Sequence, residues 1–459
     1  MSVIQSLGIP ELAGLARYPE AARIGFSVEE NVGRLLRLYW TERRLMLIAV
    51  THLPATPEWE VKCALALHQW LDVGHATALA TRISEMRSPV PPMDVPPDPA
   101  LHAFLEELLR ANDTVELLAG LYRVAHPAVA SAYRAHLERT NPLVDHPTVR
   151  VLKQALADEE EVIAWGTRAL AACARDGNAR ARADAWVAHL EAYLDSAGGI
   201  AGDGKRAASP PPPRAREPFV PDMHPRRDAR FRGQYNFNFP PHLVYTAPGV
   251  PADERNLALL CKRTLEMDVP EMMASFIIER GGQPWTFYVD YSRQLWDEAR
   301  HAMMGSVAFE ARGVDWSRIP LNVSFALRLN LHATPLERQT MLFGIEQSLM
   351  PADTGKRAEK DIAEESGDAL SAHFHDYDWA DEVLHAQIGR RWARKEGILP
   401  ADAIERAKAI HERTWAELER YRDRDPQSSW WAAFVRDVLG HDSAVDETAL
   451  GEVKAIREG

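Results

Sequence analysis

The sequence predicts an all-α protein that consists of two four-helix bundles, the first of them degenerate, and a C-terminal helical tail. Apolar residues recur at helical spacing in long runs that end at proline and glycine breaks. A glycine- and proline-rich stretch, 196–221, separates two halves with this pattern. The motif Asp-Glu-x-x-His occurs twice in the second half, at 297–301 and 381–385. The predicted segments are a degenerate bundle (1–195), a linker with an extended arm (196–251), a second bundle (252–400) and the tail (401–459).

The composition excludes several classes of partner. A formal net charge of −13 over 459 residues argues against binding to nucleic acid or to an anionic membrane. Cys63, Cys173 and Cys261 are scattered, which is typical of a reducing cytoplasm and not of a disulfide framework. We see no basic segment followed by an apolar core at the N-terminus, and no apolar run long enough to span a membrane. The sequence therefore predicts a cytoplasmic protein.

The first half contains five helical runs. Pro54 and Pro57 end the first run, a proline cluster over 89–99 ends the second, and His126-Pro127 predicts a break inside the third. The predicted helices are 28–52, 58–87, 100–139, 148–174 and 178–195.

The second half begins with an arm over 222–251, where aromatic and polar residues alternate among prolines; we expect an extended segment or a short strand. Helices follow over 253–280 and 284–312, and a crossover over 313–333. Thr334-Pro335-Leu336-Glu337 predicts the start of the third helix, because a Thr cap, a Pro in the first turn and a Glu form a capping box. Pro351 either kinks or ends this helix. The remaining predicted helices run from Gly367 to about 395, over 401–424 and over 429–439.

The two Asp-Glu-x-x-His motifs carry the chemistry. Residues i and i+3 share one face of a helix, so Glu298 lies beside His301 and Glu382 beside His385. A carboxylate and an imidazole on one face can bind one metal ion together. Both pairs lie among apolar residues, where unpaired charge is costly. Two such pairs favour a buried metal site over a solvated helix surface.

The positions of further ligands follow from the symmetry of helical hairpins. Glu266 and Glu298 are equally far from Gly282, and Glu346 is the glutamate nearest to the corresponding position before Glu382. The resulting spacings are 32 and 36 residues, which is the similarity that a pseudo-symmetric site requires.

Other residues compete for these positions. Glu271 is an alternative to Glu266, and Pro270 between them should bend the helix. Asp378 and His375 lie one and two turns before the last glutamate on the same face, so either could be an extra ligand or part of a polar lining.

Residues 253–396 resemble the ferritin-like di-iron carboxylate superfamily, and Asp-Glu-x-Arg-His at 297–301 matches the motif of its oxygenase and radical-generating branches. The segment is also similar to a bacterial ferritin-like family related to tRNA-hydroxylating monooxygenases. The resemblance implies that two iron ions, or manganese, bind to Glu266, Glu298, His301, Glu346, Glu382 and His385. It also implies that Asp297 contacts His385 and that Asp381 contacts His301.

The resemblance implies a dioxygen-activating, non-haem di-iron oxidase or oxygenase (an oxidoreductase) that acts on a small organic substrate by hydroxylation, desaturation, N-oxygenation or oxidative cleavage. A ferroxidase and a metal-stabilised interaction module are the alternatives. Helical spacing suggests Met273, Phe343 and Trp379 as pocket residues. The sequence leaves open whether an external electron donor is used and whether the chain forms a homodimer.

The first half repeats this pattern imperfectly. Glu42 and Asp72-x-x-His75 mimic the first hairpin of the second half. The acidic run 158–161 has no histidine three residues after Glu159, and the partner helix offers His126 where a glutamate is required.

His68, Asp72 and His75 share one helix face. They could hold a lone ion, or the bundle could be kept for packing. In either case we expect that it is not the reaction centre.

Overall fold

The computed structural model describes residues 7–207, 209–237, 239–351, 353–425 and 430–445. It is mostly helical, with one pair of two-residue strands among the described residues, so the all-α prediction is confirmed. The start of the last predicted helix at 429 and the predicted tail after 445 lie outside the described residues. The chain divides into two compact units, Met1–Ala49 with His68–Val220 and Val50–Leu67 with Pro221–Gly459.

The described residues of the first unit contain eight α-helices, two of which continue into Val50–Leu67. They are α1 (Tyr18–Ala21), α2 (Val28–His52), α3 (Trp59–Met86), α4 (Pro99–Leu108), α5 (Thr114–Ala119), α6 (His126–Arg139), α7 (His146–Cys173) and α8 (Gly177–Ser196). Helix α6 packs on α7, and α4 and α5 pack on α8. The predicted break at His126-Pro127 is wrong: a π-helical turn, Gly120–Ala125, leads directly into α6. Pro127 follows this wider turn, in which the N–H of His126 donates to the carbonyl of Leu121 five residues earlier.

The second unit contains the remaining elements. They are α9 (Pro241–Val244), α10 (Ala252–Leu265), α11 (Asp268–Glu279), α12 (Trp285–Glu310), α13 (Ser324–His332), α14 (Pro335–Ser348), α15 (Lys356–Glu365), α16 (Ala369–Lys395), α17 (Pro400–Trp415) and α18 (Trp431–Leu439), with strands β1 (Gly233–Gln234) and β2 (Leu321–Asn322). The strands are parallel, with Gly233 opposite Leu321, so the arm forms the short strand that the sequence left open.

The helices that carry the two Asp-Glu-x-x-His motifs, α12 and α16, pack together with α10, α11 and α14. Helix α12 packs on α10, α11 and α16, and α14 packs on α11 and α16. Gly305 permits the close approach of α12 to α10, because a Cβ atom at this position would lie 2.8 Å from the Cβ of Arg263. These contacts direct one face of each helix toward a shared interior.

The predicted helix over 253–280 is two helices in the structure. Pro270 has no N–H to donate to the carbonyl of Glu266, and the N–H of Val269 donates to it instead at 3.0 Å. This tighter turn ends α10 and begins α11, so the bend expected at Pro270 is a complete break.

The next hairpin also differs from the prediction. The Thr334–Glu337 capping box is present, as predicted, but α14 ends at Ser348, before Pro351. A separate helix, α15, follows from Lys356. The predicted crossover contains an unpredicted helix, α13. The carboxylate of Asp268 accepts hydrogen bonds from the N–H groups of Phe325 and Ala326 in its first turn, at 2.8 and 3.0 Å.

Residues Val50–Leu67 were assigned to the first bundle, but they group with the second unit. The buried Lys62 ammonium explains this, since it bonds the carbonyl of Pro54 at 2.9 Å and the carboxylate of Glu271. The ring of Trp59 also packs on Trp316, with centroids 5.0 Å apart. Among the described residues, no helix has the length and apolar character needed to cross a membrane.

Candidate metal centre

The six residues predicted as ligands come together in the second unit. They form two groups, the second of which also contains Asp378, and the candidate ligand atoms within each group lie within 4.8 Å of one another. We name these groups cluster A (Glu298, Glu346, Glu382 and His385) and cluster B (Glu266, His301 and Asp378). All of these side chains are buried except that of Glu266, which is partly buried.

Cluster A surrounds one imidazole nitrogen with three carboxylates. His385 Nδ1 lies 3.2 Å from Glu382 Oε2, 3.3 Å from Glu298 Oε1 and 3.9 Å from Glu346 Oε1. Gln294 Nε2 donates to Glu346 Oε1 at 2.9 Å, whereas the buried Glu346 Oε2 has no hydrogen-bond partner. Three carboxylates, one of which has an unpartnered oxygen, and an imidazole form a suitable donor set for iron or manganese.

Glu298 faces both clusters. Its Oε1 atom is 3.3 Å from His385 Nδ1 in cluster A, and its Oε2 atom is 3.7 Å from His301 Nδ1 in cluster B. His301 Nδ1 also lies 3.2 Å from Asp378 Oδ1, and this buried nitrogen has no partner with hydrogen-bond geometry. A carboxylate between two imidazoles is the arrangement that a bridging ligand requires.

Cluster B already contains two cationic side chains. Lys356 Nζ is 2.8 Å from Glu382 Oε1, 3.0 Å from Asp378 Oδ1 and 3.7 Å from Glu266 Oε1. Arg263 donates to Glu266 Oε2 at 2.9 Å and also pairs with Asp378. A metal ion at cluster B would therefore compete with the Lys356 ammonium for carboxylate oxygens.

Each histidine is oriented by the aspartate of the other motif. His301 Nε2 lies 3.2 Å from Asp381 Oδ2, and His385 Nε2 lies 3.4 Å from Asp297 Oδ2. Both pairs match the contacts that the resemblance implies, and both leave Nδ1 facing the carboxylates. Arg300 links the aspartates, since it donates to Asp381 at 2.8 Å and also to Asp297. Partners of this kind fix the ring orientation of a metal-binding histidine.

The electrostatics of cluster A reflect its crowded carboxylates. Burial, and then the neighbouring Glu382 carboxylate, raise the pKa of Glu346 well above its ordinary value. Burial alone would also raise the pKa of Glu382, but the Lys356 ammonium holds it well below its ordinary value. Burial opposes a charged His385, yet hydrogen bonds to Asp297 and to the glutamates raise its pKa. Without a metal, this cluster must hold protons to limit its negative charge.

A cavity of about 360 Å³ opens beside the two clusters. Four acidic residues of the clusters lie in its wall: Glu266, Glu298, Glu346 and Glu382. Its apolar lining includes Leu265, Val269, Met341, Leu342, Ile345 and Leu349. The volume and the lining of this cavity are typical of a binding site for a small molecule. Met273, Phe343 and Trp379, which the spacing suggested, do not line this cavity.

A buried arginine lies in the wall of the same cavity. Arg328 is 3% exposed, and no carboxylate forms an ion pair with it within the described part of the chain. Its guanidinium donates to Thr414 Oγ1 and contacts His411 Nδ1 at 3.1 Å, while Nε has no partner. Burial lowers the pKa of Arg328 to about 10 and, with the Arg328 charge, that of His411 to about 4, so His411 is neutral. The cavity therefore presents an incompletely satisfied cation.

The alternative ligands occupy different places. Asp378 joins cluster B, whereas Glu271 accepts from Arg227 at 2.6 and 2.9 Å and also pairs with Lys62, away from both clusters. His375 Nδ1 contacts Arg263 at 2.9 Å and is not a member of cluster A or B. The sequence reasoning missed Lys356, Arg263 and Arg328, because a basic residue in a helical run gives no sign that it is buried.

Comparison with protein-family models, with curated proteins and with solved structures finds no match to this chain.

Proposed function

We propose that the second unit is a ferritin-like four-helix bundle that binds two iron ions, or manganese, and uses dioxygen to oxidise a small organic substrate. The observation that carries this proposal is the position of Glu298 between His301 and His385, each oriented by the aspartate of the other motif. If each Glu-x-x-His motif were an isolated surface feature, the aspartate of one motif would not be expected to contact the histidine of the other.

The chain's own residues would bind and shield the ions. Cluster A would hold one ion and cluster B the other, with Glu298 facing both. When bound, two reduced iron ions supply the electrons that activate dioxygen. Asp297 and Asp381 keep the imidazole Nδ1 atoms directed inward, and the apolar cavity wall limits the access of water.

Arg328 supports a substrate with an anionic group. No carboxylate of the described residues forms an ion pair with this buried guanidinium, which is costly, and a carboxylate or similar anion of the substrate would satisfy it. The apolar lining would then contact the body of the substrate and direct it toward the carboxylates. An iron-storage protein has no need for this combination, which favours an enzyme over a ferroxidase or an interaction module.

The proposed setting is the reducing cytoplasm, since Cys63, Cys173 and Cys261 are all free thiols.

The experiment loads the purified chain with ferrous iron under anaerobic conditions, then adds oxygen with a panel of apolar carboxylates and their neutral amides. We expect one group of carboxylates to accelerate oxygen consumption and to yield an oxidised product, with the amides less effective. Rapid iron oxidation with mineral accumulation, and no effect of any organic compound, would instead indicate iron storage. Failure of the second unit to bind iron would contradict both functions.

A further inference from the structure

Four buried side chains of the first unit converge on one point. Glu42 on α2, Asp72 and His75 on α3 and Glu159 on α7 each direct one oxygen or nitrogen atom into a space where these atoms lie within 4.8 Å of one another. His75 Nδ1 is 3.4 Å from Glu42 Oε1 and 3.9 Å from Glu159 Oε1. None of the four residues is more than 6% exposed.

Each of these residues has a buried atom with no hydrogen-bond partner. The unpartnered atoms are Glu42 Oε2, Asp72 Oδ1, His75 Nδ1 and Glu159 Oε1. Buried polar atoms are nearly always satisfied, so four such atoms in one cluster require an explanation. Three of them are carboxylate oxygens, which a single divalent cation can satisfy together.

Three other atoms of the cluster are already held by protein groups. Tyr133 donates to Glu42 Oε1, and His126 Nδ1 contacts Glu159 Oε2 at 3.0 Å. His75 Nε2 contacts Asp158 Oδ2 at 3.1 Å, which leaves His75 Nδ1 facing the carboxylates. Asp158 precedes Glu159 as Asp381 precedes Glu382, so the first unit repeats the aspartate–histidine contact of the second.

One of the four proposed ligands, His75, also borders a surface cavity. A surface cavity of about 280 Å³ is lined by His75 and Asp158, together with residues of α3 and α7. A plausible metal site needs ligands, oriented histidines and such an entry path.

We propose that the first unit binds one divalent metal ion, with Mn²⁺ or Fe²⁺ as the chemical class, through Glu42, Asp72, His75 and Glu159. Three carboxylates and one imidazole form an oxygen-rich donor set, which favours these ions over thiolate-preferring metals. A rival explanation is that protons shared among the acids and the imidazoles satisfy the cluster without a metal. The two explanations differ in metal stoichiometry.

The test uses the full chain with cluster A disabled by Glu298→Ala and His385→Ala, titrated with MnCl₂ in equilibrium dialysis. We expect one Mn²⁺ ion per chain. Addition of Glu159→Gln should abolish this binding, whereas Glu160→Gln should not. Glu160 is the matched control because it lies on the same helix and pairs with Arg134 at the surface.

Asp158→Asn provides a second variant that keeps all four ligands. Loss of a partner that orients a metal-binding histidine weakens affinity by about 10–100-fold, and we expect a decrease in this range. Thermal unfolding monitored by circular dichroism establishes that each variant is folded. Less than half an equivalent of Mn²⁺ in the parent variant, equal binding by the Glu159→Gln and Glu160→Gln chains, or unchanged affinity in Asp158→Asn would overturn the proposal. If Glu159→Gln does not fold, the parent and Asp158→Asn decide.

Discussion

The clusters of the two units use the same local pattern but differ at two positions. In the second unit Glu382 is followed three residues later by His385, whereas Val162 is three residues after Glu159 in the first. The second unit has a third carboxylate, Glu346, where the first unit has His126, whose Nδ1 contacts Glu159. Under our proposal, the first unit therefore keeps the donors for one ion, and it has His126 and Val162 at the positions of Glu346 and His385.

In both units a basic side chain contacts the glutamate nearest the C-terminus of the cluster, which is Glu159 in the first and Glu382 in the second. His126 contacts Glu159 Oε2 at 3.0 Å, and Lys356 contacts Glu382 Oε1 at 2.8 Å. A second difference is the cavity of about 360 Å³ with Arg328 in its wall, which adjoins the clusters of the second unit. Under the two proposals, metal binding persists in both units, whereas the proposed oxidation of a substrate belongs to the second.

The largest expected effect is that of Glu298→Ala. Because Glu298 faces both histidines, its removal should abolish both metal ions of the second unit and all substrate-dependent oxygen consumption, but leave the first unit's ion in place. Metal analysis of purified chains gives the stoichiometry, with Glu310→Ala as the control on an exposed part of the same helix. Retention of two ions by the second unit would contradict the proposed bridging role.

Arg328→Met tests whether the cavity gives the second unit its reactivity. Hydrogen bonds to a charged group contribute about 1.5–3 kcal/mol, so we expect kcat/KM for a carboxylate substrate to fall by about 10–100-fold. Metal content should be unchanged, and the exposed Arg420→Met should behave as the wild type. Equal loss for carboxylates and for their amides would show that Arg328 does not recognise an anion.

Lys356→Met tests the competition between the ammonium and the ion at cluster B. Removal of the positive charge of Lys356, about 4 Å away, should favour a cation by on the order of 1–4 kcal/mol, so the affinity for the second ion should rise at least about fivefold. The metal-free variant should unfold at a lower temperature, because Asp378 and Glu382 lose a buried partner. Lys360→Met, which alters a surface pair with Glu364, is the control. Weaker binding of the second ion would contradict this prediction.

The smallest expected effect is a gain of binding in the first unit. Val162→His combined with His126→Glu restores the two donors that distinguish the second unit. We expect a weak second equivalent of Mn²⁺ in dialysis, since the new side chains lack supporting hydrogen bonds. Val162→His alone should bind no second ion. If the double variant also binds only one ion while remaining folded, factors other than these two residues separate the units.

The sequence was sufficient for features that depend on local geometry. The i, i+3 spacing put Glu298 beside His301 and Glu382 beside His385, and the Thr334 capping box began α14 as predicted. Hairpin symmetry also selected Glu266, which lies in cluster B, over Glu271, which pairs with Lys62 and Arg227. Each of these inferences needs only the pitch of a helix and the length of a hairpin.

The tertiary structure alone decided which charges share an interior. Lys356 reaches Glu382 because α14 ends before Pro351 and α15 starts a new helix. The convergence of Glu159 with Glu42 joins residues from distant parts of the chain. Such contacts depend on interhelical packing and on where each loop returns the chain, and neither quantity is encoded in the periodicity of a single helix.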